Sequence, residues 1–192
     1  MSINTFGVIG AGQMGGGIAQ VAAASGLQVV LHDIKDEFVA RGLSVIEKNL
    51  GRSVDKGKLS SEDKDATLAR ITPSIDLGNM ADVDYVVEAA VEREDLKFKL
   101  FQDLDEICPS HVILGTNTSS IPIGRIAAQT KRPEKVIGIH FMNPVPVMKL
   151  VEVIKGIATS QETFDVTWEL CGRFGKTPAE ANDFPGFIAN RI

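Results

Sequence analysis

The sequence predicts an α/β fold built on a mostly parallel sheet with helices on both faces. Three observations carry that prediction. Short runs rich in Val and Ile alternate with segments of helical periodicity along the 192-residue chain. Most of these runs are continuously apolar, as strands buried on both faces are. The first of them, Thr5 to Ile9, passes through Gly10-Ala11-Gly12-Gln13-Met14-Gly15 straight into a helix-like segment.

The strand at 5–9 therefore ends in glycines with separate tasks. Gly10 permits a tight turn, Gly12 has no Cβ to keep a pyrophosphate away, and Gly15 lets the helix at 13–25 lie close to the strand. The N–H groups of Ala11, Gln13 and Met14 belong to the same phosphate-facing loop, and the helix dipole adds to their pull. A second strand at 27–33 ends in Asp33, eighteen residues beyond Gly15. Its carboxylate accepts hydrogen bonds from both hydroxyls of an adenosine ribose and repels a 2′-phosphate. No Arg follows to compensate, so the reading is NAD rather than NADP. Strand, glycines, helix and acid together make a Rossmann-type dinucleotide fingerprint; the competing reading is a glycine-rich turn with no ligand.

Residues 36–57 and 61–70 read as two helices joined around Lys56-Gly57-Lys58-Leu59-Ser60. Ser60 or Ser61 caps the second, with Glu62 and Asp63 in its first turn. This pair is longer than a minimal crossover and is expected to protrude from the sheet and offer a surface to a ligand. Strands at 84–89, 112–116 and 136–141, separated by helices at 94–107 and 121–129, follow. They put Glu92, Asn117-Thr118-Ser119-Ser120 and His140 at carboxyl ends, where open α/β sheets bind ligands. Strands at 149–154 and about 177–182 flank a helix at 161–174.

His140 and Glu152 form the sharpest constellation. Glu152 is a carboxylate inside the apolar strand Leu150-Val151-Glu152-Val153-Ile154, and a buried carboxylate needs a partner. Antiparallel pairing of 136–141 with 149–154 about Pro146 puts Glu152 opposite His140. The carboxylate would hold one imidazole nitrogen protonated and leave the other as a general base. The base would take a proton from a substrate hydroxyl while the adjacent carbon gives hydride to NAD, with Ser119 bonded to the same oxygen. A structural pair closing the sheet edge is the other reading, and the pattern leaves both open. Taken singly, Ser119 reads as a helix cap, Asn190 as a first-turn helix residue, and Glu92 with Lys97 as solvated surface. His32 and His111 are given no role.

Composition bounds the rest. Hydrophobic residues make up 44% and charged residues 23%, the balance of one soluble domain. A net charge of −5 offers nothing to nucleic acid or to an anionic membrane surface. No apolar run approaches the roughly 20 residues of a membrane span. The first strand begins so near Met1 that a signal peptide is not expected. Cys108 and Cys171 lack metal-ligand spacing and read as free thiols of a reducing compartment, so the expected location is cytoplasmic. Asp183 to Ile192 reads as a turn followed by the start of a helix too short to stand alone. The expected division is 1–183 as the NAD-binding domain and 184–192 as the start of a C-terminal helical domain absent from the chain.

Five motifs now coincide: the glycine loop, Asn117-Thr118-Ser119-Ser120, His140-Phe141-Met142-Asn143-Pro144-Val145-Pro146, Leu150-Val151-Glu152-Val153 and Asp183-Phe184-Pro185-Gly186-Phe187. Over nearly its whole length the chain resembles the NAD-binding domain of the L-3-hydroxyacyl-CoA dehydrogenases, in particular the bacterial 3-hydroxybutyryl-CoA dehydrogenases. The resemblance implies reversible oxidation of an L-3-hydroxyacyl-CoA to the 3-ketoacyl-CoA with NAD. It implies His140 as the catalytic base, Glu152 as the acid that orients it, Ser119 on the substrate oxygen and nicotinamide, and Asn190 near the substrate carbonyl. Asp33 then binds the ribose, while Glu92, Lys97 and Asn143 line the cofactor, Lys97 also lying near CoA. Lys56 falls where the family places a lysine on the CoA phosphates, and Asn49 stands where some relatives carry a serine that contacts CoA. The family's C-terminal helical domain carries the dimer interface and closes the acyl pocket. The resemblance therefore implies a homodimeric parent and a fragment that binds NAD with little turnover. Two rivals are a β-hydroxyacid dehydrogenase of another type, such as the 6-phosphogluconate enzymes, and a non-enzymatic structural relative. The former use a lysine of their second domain, unlike a His–Glu pair; an intact Ser119, His140, Glu152 and Asn190 set counts against the latter.

Overall fold

The elements run β1 (Thr5–Ile9), α1 (Gln13–Ala24), β2 (Gln28–His32), α2 (Asp36–Asp55), α3 (Ser61–Ala69), β3 (Ile71–Ser74), β4 (Tyr85–Glu88) and α4 (Glu94–Ile107). They continue with β5 (Ile113–Thr116), α5 (Ile123–Ala127), β6 (Val136–Phe141), β7 (Leu150–Lys155), α6 (Gln161–Arg173) and β8 (Thr177–Asn182). The computed structural model describes residues 3–191. All eight strands join one sheet in the order β3-β2-β1-β4-β5-β6-β7-β8. Every pairing is parallel except β6 with β7. Strand order reverses direction between β1 and β4, which makes the carboxyl end of that pair the switch point where ligands settle.

The glycine loop explains how α1 starts there. Gly10 adopts φ +98, and a Cβ on it would lie 2.6 Å from Ala89 O. A Cβ on Gly15 would lie 1.7 Å from Gly10 O, so the helix presses directly on the loop. A Cβ on Gly12 would meet nothing within 4 Å, which leaves that face open. In α2 the buried residues Val39, Gly42, Ile46 and Leu50 form one stripe at helical spacing, and the opposite face points outward. Ser60 caps α3 by accepting the Asp63 N–H at 2.9 Å, one of the two caps expected.

Side chains alternate across the sheet. Tyr85 and Val87 join Phe6, Val8, Ile18 and Phe174 on the face covered by α1, α2 and α6. Val86 joins Phe101, Leu104, Leu114 and Ile126 under α4 and α5.

Two elements depart from expectation. β3 has no counterpart among the seven strands read from the sequence. It is a four-residue edge strand containing Pro73, and on an edge the missing proline N–H costs no ladder bond. The helix expected over 121–129 is confined to Ile123–Ala127, because Pro122 occupies its N-cap and residues before it belong to the active-site loop.

Candidate active site

Register brings the site together. In the β6–β7 ladder His140 is the partner of Glu152, as pairing about Pro146 requires. The imidazole Nδ1–H donates to Glu152 Oε2 at 2.7 Å. Nδ1 is thereby the protonated nitrogen, and the lone pair lies on Nε2, 3.1 Å from Ser119 Oγ. Ser119, His140 and Glu152 thus stand in one row, with His140 6% and Glu152 1% exposed. The second carboxylate oxygen of Glu152 accepts the N–H groups of Ile188 and Ala189 at 2.9 and 2.8 Å. Phe187 packs its ring against the imidazole at 5.8 Å between centroids. Its φ of 47 lies in the left-handed region, a strained backbone for a bulky residue that burial of the ring offsets.

Ser119 is not a helix cap. The first free N–H groups of α5, those of Ile123 and Gly124, donate to the two oxygens of Asp183, each at 2.8 Å. Ser119 instead sits in a loop gathered around Glu92. Glu92 Oε1 accepts from Thr118 Oγ1 at 2.5 Å, Ser119 N at 2.9 Å, Ser120 N at 3.2 Å and Ser120 Oγ at 3.0 Å. Burial pushes the Glu92 carboxyl up, but the Thr118 hydroxyl, the Lys97 ammonium and the donors from Ser119 and Ser120 outweigh it, and the net shift is downward.

Glu92 and Lys97 are not the solvated surface that their spacing alone suggests. Lys97 is 1% exposed, with Nζ 2.5 Å from Glu88 Oε1 and 3.3 Å from Glu92 Oε2. The sequence reading missed Glu88, whose position at the end of an apolar strand gave no sign that a lysine nine residues on would fold back to it. Asn190 lies in a 3₁₀ turn, Ala189–Arg191, with Nδ2 3.5 Å from Ser119 O.

Several of the residues expected to bind the cofactor, Asp33, Gln13 and Asn143 among them, gather around the glycine loop. Asp33 stands one residue past β2 and accepts the Ala11 N–H at 2.8 Å, so it braces the loop. Gln13 Nε2 donates to Asn143 Oδ1 at 3.0 Å, tying the start of α1 to the β6–β7 connection. Met14 is half-buried against the core beneath. The first turn of α1 holds no acidic residue and no side-chain cap, so its N–H groups are left for an anion.

A cleft of about 880 Å³ opens between α1, α2 and residues 143–147. Gly12, Gln13 and Asn143 line one part of it; Asn49, Arg52, Lys56 and Lys58 line another. Arg52 and Lys58 went unnoticed in the sequence. The signal was available, since Asn49, Arg52, Ser53 and Lys56 fall on one helical face. Lys97 is absent from the lining. Lys176 pins the floor of the cleft by donating to Val145 O and, at 2.8 Å, to Met148 O.

Cys108 and Cys171 are buried free thiols, pushed by burial up to about 11 and about 12. Among the described residues no cluster of His, Cys, Asp and Glu fits a metal ion. No helix among them is long and apolar enough to cross a membrane.

Comparison with known proteins agrees with this geometry. Residues 5–184 match the family model described as 3-hydroxyacyl-CoA dehydrogenase, NAD binding domain. A probable 3-hydroxybutyryl-CoA dehydrogenase of Deinococcus radiodurans is 56% identical over 97% of the chain, which spans 67% of that relative. The 3-hydroxyadipyl-CoA dehydrogenase of Escherichia coli is 47% identical over the whole chain, which spans 40% of it. The crystal structure of (S)-3-hydroxybutyryl-CoA dehydrogenase from Ralstonia eutropha superposes with a TM-score of 0.98 at 46% identity, covering all of this chain and 68% of that one. The 3-hydroxybutyryl-CoA dehydrogenase structure from Escherichia coli gives 0.98 at 48%, with 40% of its chain covered. The chain therefore spans between two fifths and about two thirds of the length of these relatives.

Proposed function

The chain belongs to the 3-hydroxyacyl-CoA dehydrogenase family as its NAD-binding domain, and from that premise we propose that the protein oxidises an L-3-hydroxyacyl-CoA, 3-hydroxybutyryl-CoA foremost, to the 3-ketoacyl-CoA and catalyses the reverse. The row Ser119–His140–Glu152, with spacings of 3.1 and 2.7 Å, carries this reading.

The residues around the glycine loop fit the cofactor. Gly12 leaves open space for a pyrophosphate, the start of α1 carries no competing acid, and Asp33 stands ready for the ribose. These residues would hold NAD, which would supply the hydride acceptor for oxidation at C3 of the substrate. Every other step belongs to side chains. His140 Nε2 takes the proton of the 3-hydroxyl as the carbon–oxygen bond gains double-bond character. Glu152 steadies the imidazolium that forms, as the acid of a hydrolase triad steadies its histidine. On substrate binding the Ser119 hydroxyl, which in the free site points at Nε2, turns to donate to the same substrate oxygen, freeing Nε2 and keeping that oxygen in line with the base. In reduction of the ketone, His140 returns the proton. Asn190 approaches the thioester carbonyl, and Glu92, Lys97 and Asn143 belong to the nicotinamide side, Lys97 by holding Glu92.

Lys56, with Arg52 and Lys58, offers exposed cations to the CoA phosphates at the mouth of the cleft, and Asn49 offers its amide beside them. Residues 1–183 form the cofactor domain in this reading, and 184–192 begin a helical domain. The greater length of the relatives supports that division, since the chain spans 67% of the Deinococcus radiodurans protein. The two buried thiols fit a cytoplasmic location.

The test is oxidation of NADH by the full-length parent with acetoacetyl-CoA, comparing wild type with His140→Ala. Activity lost in the variant with NADH affinity retained supports the reading. A full-length wild type that binds NADH but reduces nothing would make it a non-enzymatic relative.

A further inference from the structure

The two ions sealed beneath the active-site loop carry an energetic question. Glu88 and Lys97 have side chains 0% and 1% exposed and give up their hydration to meet each other. Apolar residues of similar volume often serve a core as well or better, so stability does not account for such a pair.

Their geometry does account for it. Glu88 is the last residue of β4 and is held on three sides. Its Oε1 accepts the Ala90 N–H at 2.7 Å and the Lys97 ammonium at 2.5 Å, and its Oε2 accepts the Thr116 hydroxyl at 2.7 Å. Lys97 Nζ is thereby fixed. It donates to Glu88 Oε1 and, at 3.4 Å, to Ala90 O, and it pairs with Glu92 Oε2 at 3.3 Å. Glu92 then uses its other oxygen to collect Thr118, Ser119 and Ser120, and Ser119 Oγ reaches His140.

We propose that Glu88 and Lys97 are positioning residues for the reaction: the buried pair fixes Glu92, and Glu92 holds the 118–120 loop so that Ser119 stays on His140 Nε2. The proposal rests on the dehydrogenase reading for the word reaction, but its geometric content does not. Neither residue lines the cleft beside the glycine loop. The pair works as a fixed post driven into the sheet, from which a flexible loop takes its position.

The experiment follows the imidazole ¹⁵N–¹H signal of His140 by NMR together with steady-state kinetics. Ser119→Ala defines the spectral signature of a missing serine. Lys97→Met and the double variant Glu88→Gln/Lys97→Met, which leaves no unpaired charge in the core, are compared with it. Both are expected to reproduce the Ser119→Ala signature. They are also expected to lower kcat by about 10- to 100-fold while the KM for acetoacetyl-CoA stays within about threefold. If the single variant fails to fold, the double variant decides. A folded double variant with the wild-type His140 signal, or with wild-type kcat, overturns the proposal. The spectrum needs no turnover, so an inactive full-length wild type would overturn the dehydrogenase reading and still leave the spectral test decisive.

Discussion

Two carboxylates buried in the same sheet meet the same difficulty with different partners. Glu88, at the end of β4, is neutralised by a lysine and fastened by a hydroxyl and a backbone N–H. Glu152, in β7, faces an imidazole and two backbone N–H groups. In the proposed reaction the imidazole beside Glu152 takes and returns a proton, whereas the ammonium beside Glu88 has no such part. Glu88 therefore sits in a constant field and Glu152 in one that alternates. The difference separates a residue that holds geometry from one that takes part in proton movement, although both are fully paired.

Four substitutions break or sharpen that contrast. The largest effect is expected from Glu152→Gln. It should lower kcat by about 10³-fold or more, by analogy with loss of the acid in a catalytic triad. The fold should survive, because an amide replaces a carboxylate of nearly equal volume; circular dichroism and kcat measured together check both halves. Lys97→Met should show the reverse emphasis. Stranding Glu88 without its cation should cost about 3–5 kcal/mol, read as a fall in the urea midpoint. Unchanged stability would mean that Glu88 finds another partner.

Lys56→Ala tests a charge that is exposed. It should raise the KM for an acyl-CoA several-fold, with the effect shrinking as salt rises, and leave the melting temperature within about a degree. The smallest effect is expected from Glu92→Gln in acid. Its folded-state carboxyl lies below the ordinary value of 4.5. The stability it contributes is present above that value and lost as pH falls through the depressed one. Wild type should therefore lose stability over that window more steeply than Glu92→Gln. Equal slopes in a melting series from pH 5 downward would show that Glu92 contributes nothing there.

The same two carboxylates show what the sequence makes legible. Glu152 could be read because its partner lies on the next strand and the register follows from a local feature. All four β6–β7 pairs, from Phe141 with Val151 to Gly138 with Ile154, centre on Pro146. Glu88 could not be read in this way, since Lys97 returns to it from the first turn of α4 and only packing decides where that turn lies. Asp183 likewise caps α5 from 59 to 60 residues away, and no local pattern announces it. The glycine loop was legible because each glycine answers a steric demand made within a few residues. β3 was hidden by its proline and its edge position. Arg52 was legible too, since it shares a helical face with Asn49 and Lys56.

One feature of Glu152 reaches beyond the proton. The oxygen not used by His140 is shared by the N–H groups of residues 188 and 189. The seating of that turn and the binding of a proton at Nε2 thus act on one carboxylate, and by linkage each must alter the other by the same free energy. A change at the turn therefore reaches the base through a shared carboxylate, with no contact to the imidazole nitrogens themselves. The end of the described chain is in this sense a thermodynamic reporter on the state of the base.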